Sequence, residues 1–188
     1  MKHKTNRIAE QSKKWLVEAL FDLMNEKPYS MISVKEIADK AQLSRRTFYR
    51  NFNVKEDLLS QYVMYLFEDY SDCIKKLDKV NIYYILITYF EFWNMHIEEL
   101  KLLKRNHLFY VIMEYSTTLI PDINNLKEVE WHHYSSTAEE EYVGIFTMGG
   151  LWNVVSKWID EKERRNSNEM AQMVIKAFEN ISRAVSTI

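Results

Sequence analysis

From Arg7 to Glu26 the apolar positions Ile8, Trp15, Leu16, Ala19, Leu20, Leu23 and Met24 recur at the three-and-four spacing of one helical face, with lysines and glutamates opposite. That spacing predicts an amphipathic helix. Pro28 ends it, because a proline pushes the residue before it out of helical geometry. "SVKE", from Ser33, is a capping box, and Val34, Ile37, Ala38 and Ala41 then share one side of a short helix while Lys35, Asp39 and Lys40 take the other. "AQL" turns the chain into Ser44, a second N-cap, and a helix of about two turns follows before "NFN". In it Phe48 and Phe52 lie one turn apart on an inward stripe with Leu43, and the other arc carries Arg45, Arg46, Thr47, Tyr49 and Arg50.

The pattern then lengthens. Leu58, Leu59, Tyr62, Leu66, Tyr70 and Ile74 line a helix expected from about Lys55 to Val80, and residues 82–119 read as two or three helices of high aromatic content. Pro121 closes that region, and a polar connection follows. "STAEE" caps a long helix whose face includes Tyr142, Ile145, Phe146, Gly149, Trp152, Val155 and Ile159. The last helix, Ser167 to about Val185, offers Met170, Met173, Val174, Ala177, Phe178 and Ile181. Only three glycines and two prolines punctuate the 188 residues, and no alternating β-branched stretch is bounded by turn residues. The fold class is therefore all-α.

Two short helices, a tight turn and a basic second helix with its apolar stripe inward form a helix-turn-helix pattern. The charge distribution agrees with it. Residues 1–57 hold 12 Lys and Arg against 8 Asp and Glu, and residues 58–188 hold 13 against 19; between 40 and 55 stand Lys40, Arg45, Arg46, Arg50 and Lys55 with no acid. The phenylalanines would anchor the helix while its arginines reach phosphates or the O6/N7 edge of guanine in a major groove. A basic run can also be a merely solvated face.

Other chemistry is sparse. The lone cysteine, Cys73, cannot form an intrachain disulfide and reads as an inert helical thiol, and no apolar run approaches the roughly 18 residues of a membrane helix. The basic N-terminus lacks the apolar stretch of a secretory signal, so the expectation is a cytoplasmic protein without membrane contact. His132 and His133 are adjacent, about 100° apart on any helix, and share a metal poorly even with Glu139 to Glu141 near. No glycine-rich phosphate loop, G-x-S-x-G, H-E-x-x-H or paired cysteine motif is present. No catalytic residue, metal or cofactor is expected, and the chain does not read as an enzyme.

Residues 32–59, "ISVKEIADKAQLSRRTFYRNFNVKEDLL", resemble the DNA-binding signature of the TetR family of transcriptional regulators, matching at Ser33, Ile37, Ala38, Ala41, Ser44, Thr47, Phe48, Tyr49, Phe52, Lys55, Glu56 and Leu58. The chain departs from the pattern at Gln42 and Arg46, where the family usually has glycine, and at Asn51. The resemblance implies a three-helix head, residues 1–54, joined to a helical effector-binding and dimerisation domain, residues 55–188. It implies phosphate contacts from Ser33, Tyr49 and Lys55, and base or phosphate contacts from Arg45, Arg46, Thr47 and Arg50, with Ser44 at the helix start. Thr47 could instead bond the local backbone, and Tyr49 could pack on the turn. For Lys55 an anion at the start of the following helix is a separate argument.

In the acidic remainder most aromatics must be core. Among them Tyr89, Trp93 and Met113 could wall a small-molecule cavity into which His96, His107, Tyr110 and Glu114 bring polar groups, a solid core being the alternative. Two closing amphipathic helices suggest a four-helix bundle shared by two subunits through Phe146, Gly149, Trp152, Val155, Met173, Ala177, Phe178 and Ile181, with the glycines admitting a close neighbour. The stretch "FTMGGLWNVVSKWIDEKERRNSNEMAQMV" resembles the C-terminal domain of a TetR subgroup that includes dihydroxyacetone kinase regulators, some of which take a protein partner. The expected function is a homodimeric repressor released from an inverted-repeat operator by a small-molecule or protein effector. The alternative is a helix-turn-helix adaptor or co-activator controlled by a protein partner.

Overall fold

The computed structural model describes residues 2–118 and 134–185, and among these the only regular structure is helical. The order is α1 (Lys2–Glu26), a single 3-10 turn (Tyr29–Met31), α2 (Val34–Lys40), α3 (Arg45–Asn51), α4 (Glu56–Lys75), α5 (Ile82–Met95), α6 (Ile97–Arg105), α7 (Tyr110–Thr118), α8 (Thr137–Trp158) and α9 (Ser167–Val185). The chain is all-α. Pro121, His132 and His133 lie outside the described residues. Helix α4 stops at Lys75, five residues short of the expected Val80, and 82–118 forms three helices.

The chain divides into two compact units. The first comprises residues 1–66 with 102–115, the second 67–101 with 116–188. In the first, α1 packs on α2 and α3, and α2 on α3. Leu16, Leu20, Ile37, Ala38, Phe48 and Leu58 are fully buried there, positions that share the inward faces read from the sequence. Ion pairs rim this core: the Lys40 ammonium meets Glu26 at 2.9 Å and Asp22 at 3.9 Å, tying α2 to α1, and Lys27 pairs with Glu36.

The second unit is built on aromatic rings. Tyr89, Phe90, Phe92 and Trp93 of α5 are buried, with Trp152 and Trp158 of α8, and α9 packs on α5 through its buried Met170, Ala171 and Val174. Trp158 anchors the turn after α8 by donating its indole N–H to the Arg165 carbonyl at 2.8 Å. Helix α8 begins as the sequence predicts, with Ser136 Oγ accepting from the Glu139 amide at 3.2 Å. Its apolar stripe, however, is buried only toward the C-terminal end, at Leu151, Trp152, Val155, Trp158 and Ile159.

Candidate nucleic-acid interface

Two local devices aim α3. Gln42 ends α2 with φ 56°, its N–H donating to the Asp39 carbonyl at 3.0 Å while the Leu43 N–H donates to Ala38 at 2.9 Å. That pair of bonds is the Schellman ending, which needs a left-handed residue and usually takes glycine. Ser44 then caps α3 from an extended backbone, its Oγ accepting from the Thr47 amide at 3.1 Å and bonding the Thr47 hydroxyl at 3.0 Å.

Helix α3 has seven residues, too few to persist alone. Phe48 holds it: the ring is wholly buried, 5.8 Å from Phe52, which is also buried. Each such ring contributes about 1.5–3 kcal/mol. The opposite arc is open, with Arg45, Arg46, Tyr49 and Arg50 exposed. Arg45 and Tyr49 are one turn apart, as are Arg46 and Arg50, so the four make a continuous face. Among the described residues no hydrogen bond or ion pair engages the three guanidinium groups. Two arginines at the positive end of a helix oppose its dipole, and α3 has no acid in its first turn. An anionic partner removes that conflict.

The rest of the basic run is committed within the fold. Lys40 belongs to the ion pairs above. Lys55 lies just before α4 and donates to the carbonyls of Tyr29, at 2.9 Å, and Ile32, at 3.0 Å. At the start of α4 the Asn53 and Val54 amides already donate to the Asp57 carboxylate, at 2.7 and 3.1 Å, so a carboxylate sits where an anion was expected. Ser33 completes its capping box: its amide donates to Glu36 at 3.0 Å and its hydroxyl at 2.8 Å. The Lys27 ammonium and these two donors pull the Glu36 carboxyl down to about 2. Of the eight residues expected at DNA, Arg45, Arg46 and Arg50 have no partner among the described residues, Tyr49 is exposed but stands edge-on to the Phe48 ring at 5.3 Å, and Ser33, Ser44, Thr47 and Lys55 are held by local bonds.

Residues 16–62 match the family described as bacterial regulatory proteins, tetR family. Over these residues the chain matches the DNA-binding domain of that family. Three solved structures share the fold. A TetR transcriptional regulator from Streptococcus agalactiae 2603V is 16% identical, with TM-score 0.60 over 94% of this chain and 98% of that one. A tetR-family transcriptional regulator from Streptomyces coelicolor is 20% identical, with TM-score 0.57 over 94% and 83%. The dihydroxyacetone kinase operon activator DhaS is 19% identical, with TM-score 0.54 over 91% and 96%. No curated protein matches. The chain thus carries the DNA-binding fold of TetR-family transcriptional regulators, and no helix among the described residues is long and apolar enough to cross a membrane.

The residues expected at an effector divide between the two units. Tyr89, Trp93 and His96 belong to the second unit, where the first two are buried; His96 is half-buried against Phe92, ring centroids 4.8 Å apart, and burial lowers its pKa. His107, Tyr110, Met113 and Glu114 belong to the first unit. His107, Tyr110 and Glu114 are exposed there, and His107, at φ 59°, takes the left-handed conformation after α6. Of the residues expected at a dimer interface, Phe146, Met173, Ala177, Phe178 and Ile181 are exposed, whereas Trp152 and Val155 are fully buried within their own unit. Added Cβ atoms at Gly149 and Gly150 would meet nothing within 4 Å, so neither glycine serves close packing inside the protomer.

One cluster has no counterpart in the sequence reading. Tyr29 receives Lys55 on its carbonyl, donates its amide to Asn106 Oδ1 at 2.9 Å and its hydroxyl to Glu56 at 3.0 Å. Burial first, then Glu56, pushes its phenol upward. The Asn106 contact spans 77 positions, and a local pattern carries no trace of it.

Proposed function

We propose that the protein is a homodimeric transcriptional repressor in which residues 1–54 read DNA and residues 55–188 bind an effector and dimerise. The open arginine arc of α3, opposite the buried Phe48, carries this reading. Each subunit lays α3 in a major groove, Arg45, Arg46 and Arg50 reaching bases or phosphates and Tyr49 a phosphate, with Ser33, Ser44, Thr47 and Lys55 bordering the backbone path. The two-fold axis sets the recognition helices about 34 Å apart on an inverted repeat. An effector that prefers another spacing releases the DNA.

The exposed apolar positions Tyr142, Phe146, Met173, Phe178 and Ile181 of α8 and α9 support the dimer, and the bare backbone of Gly149 and Gly150 suits a close second subunit. The same positions support a second reading, a protein partner that converts the head into an adaptor or co-activator. Selection of bound duplexes from a random library at two salt concentrations tests the main reading. An inverted repeat supports it; retention that depends on salt but not on sequence rejects it.

A further inference from the structure

Two buried donors on α5 lack partners among the described residues. The Tyr89 hydroxyl and the Trp93 indole N–H, on residues 3% and 0% exposed, make no hydrogen bond to any described residue. The two residues lie one turn apart on α5, on one face. Trp152 of α8 completes a triangle with ring centroids 6.1 Å (Tyr89 to Trp93), 6.0 Å (Tyr89 to Trp152) and 4.5 Å (Trp93 to Trp152). Bare buried donors are costly, and folded interiors seldom keep them without a purpose. Phenylalanine at position 89 would fill the same space without the penalty.

We propose that this triangle binds an uncharged, flat, largely apolar molecule bearing a hydrogen-bond acceptor, of which an aromatic ketone is the simplest type. An indole N–H only donates and a phenol donates readily, so the guest must accept. The rings, tilted 64–70° to one another, supply the apolar walls. An anionic guest is disfavoured by what surrounds them: among the described residues the buried polar ones, apart from the ring tips, are Ser12 and Ser116, and the buried carboxylate oxygen of this unit, Glu161 Oε2, adds negative charge, so no buried cation pairs a carboxylate. A cation, the other guest of aromatic cages, would place its charge against two donors. Because Trp152 comes from α8 and the other two from α5, a guest entering between the rings separates these helices.

The inference deepens the effector-responsive reading and rests on it only for its regulatory consequence. The test is calorimetric titration of the full chain with acetophenone, ethylbenzene and benzoate. Acetophenone is expected to bind at about 1 mM or tighter, roughly tenfold better than ethylbenzene, which lacks the acceptor, and benzoate weakest. Tyr89→Phe is expected to narrow that preference several-fold while raising the melting temperature of the ligand-free protein by about 2–4 °C. Equal affinity for acetophenone and ethylbenzene, no saturable binding, or a lower melting temperature for Tyr89→Phe overturns the proposal. Repeating the acetophenone titration on the DNA-bound chain separates the two ideas. Binding without loss of DNA affinity leaves the site standing and removes effector release; DNA release without preference over ethylbenzene does the opposite.

Discussion

The ammonium of Lys55 sits 4.2 Å from the centre of the Tyr29 ring and donates at 2.9 Å to the carbonyl of the same residue. With the bond to Ile32, two of its three N–H groups hold the segment that leads into α2. Lys55→Met strips donors from two carbonyls and is expected to cost about 1–3 kcal/mol of stability. Thermal denaturation reads that loss. If Lys55 is mainly a brace, the slope of log affinity for DNA against log salt changes by less than the roughly 0.9 that one phosphate contact contributes.

Arg46 is the contrasting case. It is exposed on α3 and without a partner among the described residues, so Arg46→Ala should leave the melting temperature within the shift of about 0.5 kcal/mol typical of surface changes. On DNA it should either reduce the salt slope by about one unit or relax preference at one base pair by about 1–3 kcal/mol. Binding isotherms across salt and across single-base operator variants distinguish these; no change in either would remove Arg46 from the interface.

Gln42 carries strain that a natural substitution relieves. Its φ of 56° is needed for the Schellman ending, and a left-handed L-residue costs roughly 1–2 kcal/mol, of which the greater chain entropy of glycine in the unfolded state returns about half. Gln42→Gly is therefore expected to stabilise the chain by about 0.5–1 kcal/mol, seen as a higher melting temperature. A lower one would mean that the Gln42 side chain contributes packing that outweighs the strain.

What was legible in the sequence was what is encoded within a few residues. Ser33, Ser44 and Ser136 announce helix starts because a cap bonds an amide two or three positions on, and Phe48 and Phe52 announce the inner face of α3 by spacing alone. The turn at Gln42 was located by its neighbours rather than by glycine. Periodicity defines a stripe along α8 without saying how far along it the core reaches, so the burial of Trp152 and Val155 beside an exposed Phe146 was not legible. The left-handed turn at His107 was not legible either, because a left-handed residue after a helix has no signature when it is not glycine. The Tyr29 to Asn106 bond was beyond any local reading, its ends being brought together only by tertiary packing.

Glu36 gives the head a defined acid limb. The Lys27 ammonium, with the Ser33 amide and hydroxyl, holds its carboxyl at about 2 against an ordinary 4.5. A folded-state value below the unfolded one stabilises above the unfolded value and fades as pH falls through the folded one. The contribution of Glu36 is thus complete above about pH 4.5 and lost toward pH 2. In Glu36→Gln the melting temperature should fall less steeply between pH 4.5 and 2 than in the parent. Parallel limbs would show that other carboxylates set the acid response.

Phe146 and Trp152 lie on the same stripe of α8 and should behave in opposite ways. Phe146 is 69% exposed, so Phe146→Lys removes little that the protomer uses, whereas a dimer closing over α8 and α9 would bury a charge at its centre. Sedimentation is expected to show a folded monomer with unchanged helical content and weakened binding to an inverted repeat, each half-site now being read separately. Trp152 is fully buried, and Trp152→Ala should cost about 3–5 kcal/mol through the cavity it leaves, lowering helical content and melting temperature whatever the oligomeric state. If Phe146→Lys sediments like the parent, the two-fold contact lies on another surface, and the exposed apolar positions of α8 and α9 are better assigned to the partner of the adaptor reading.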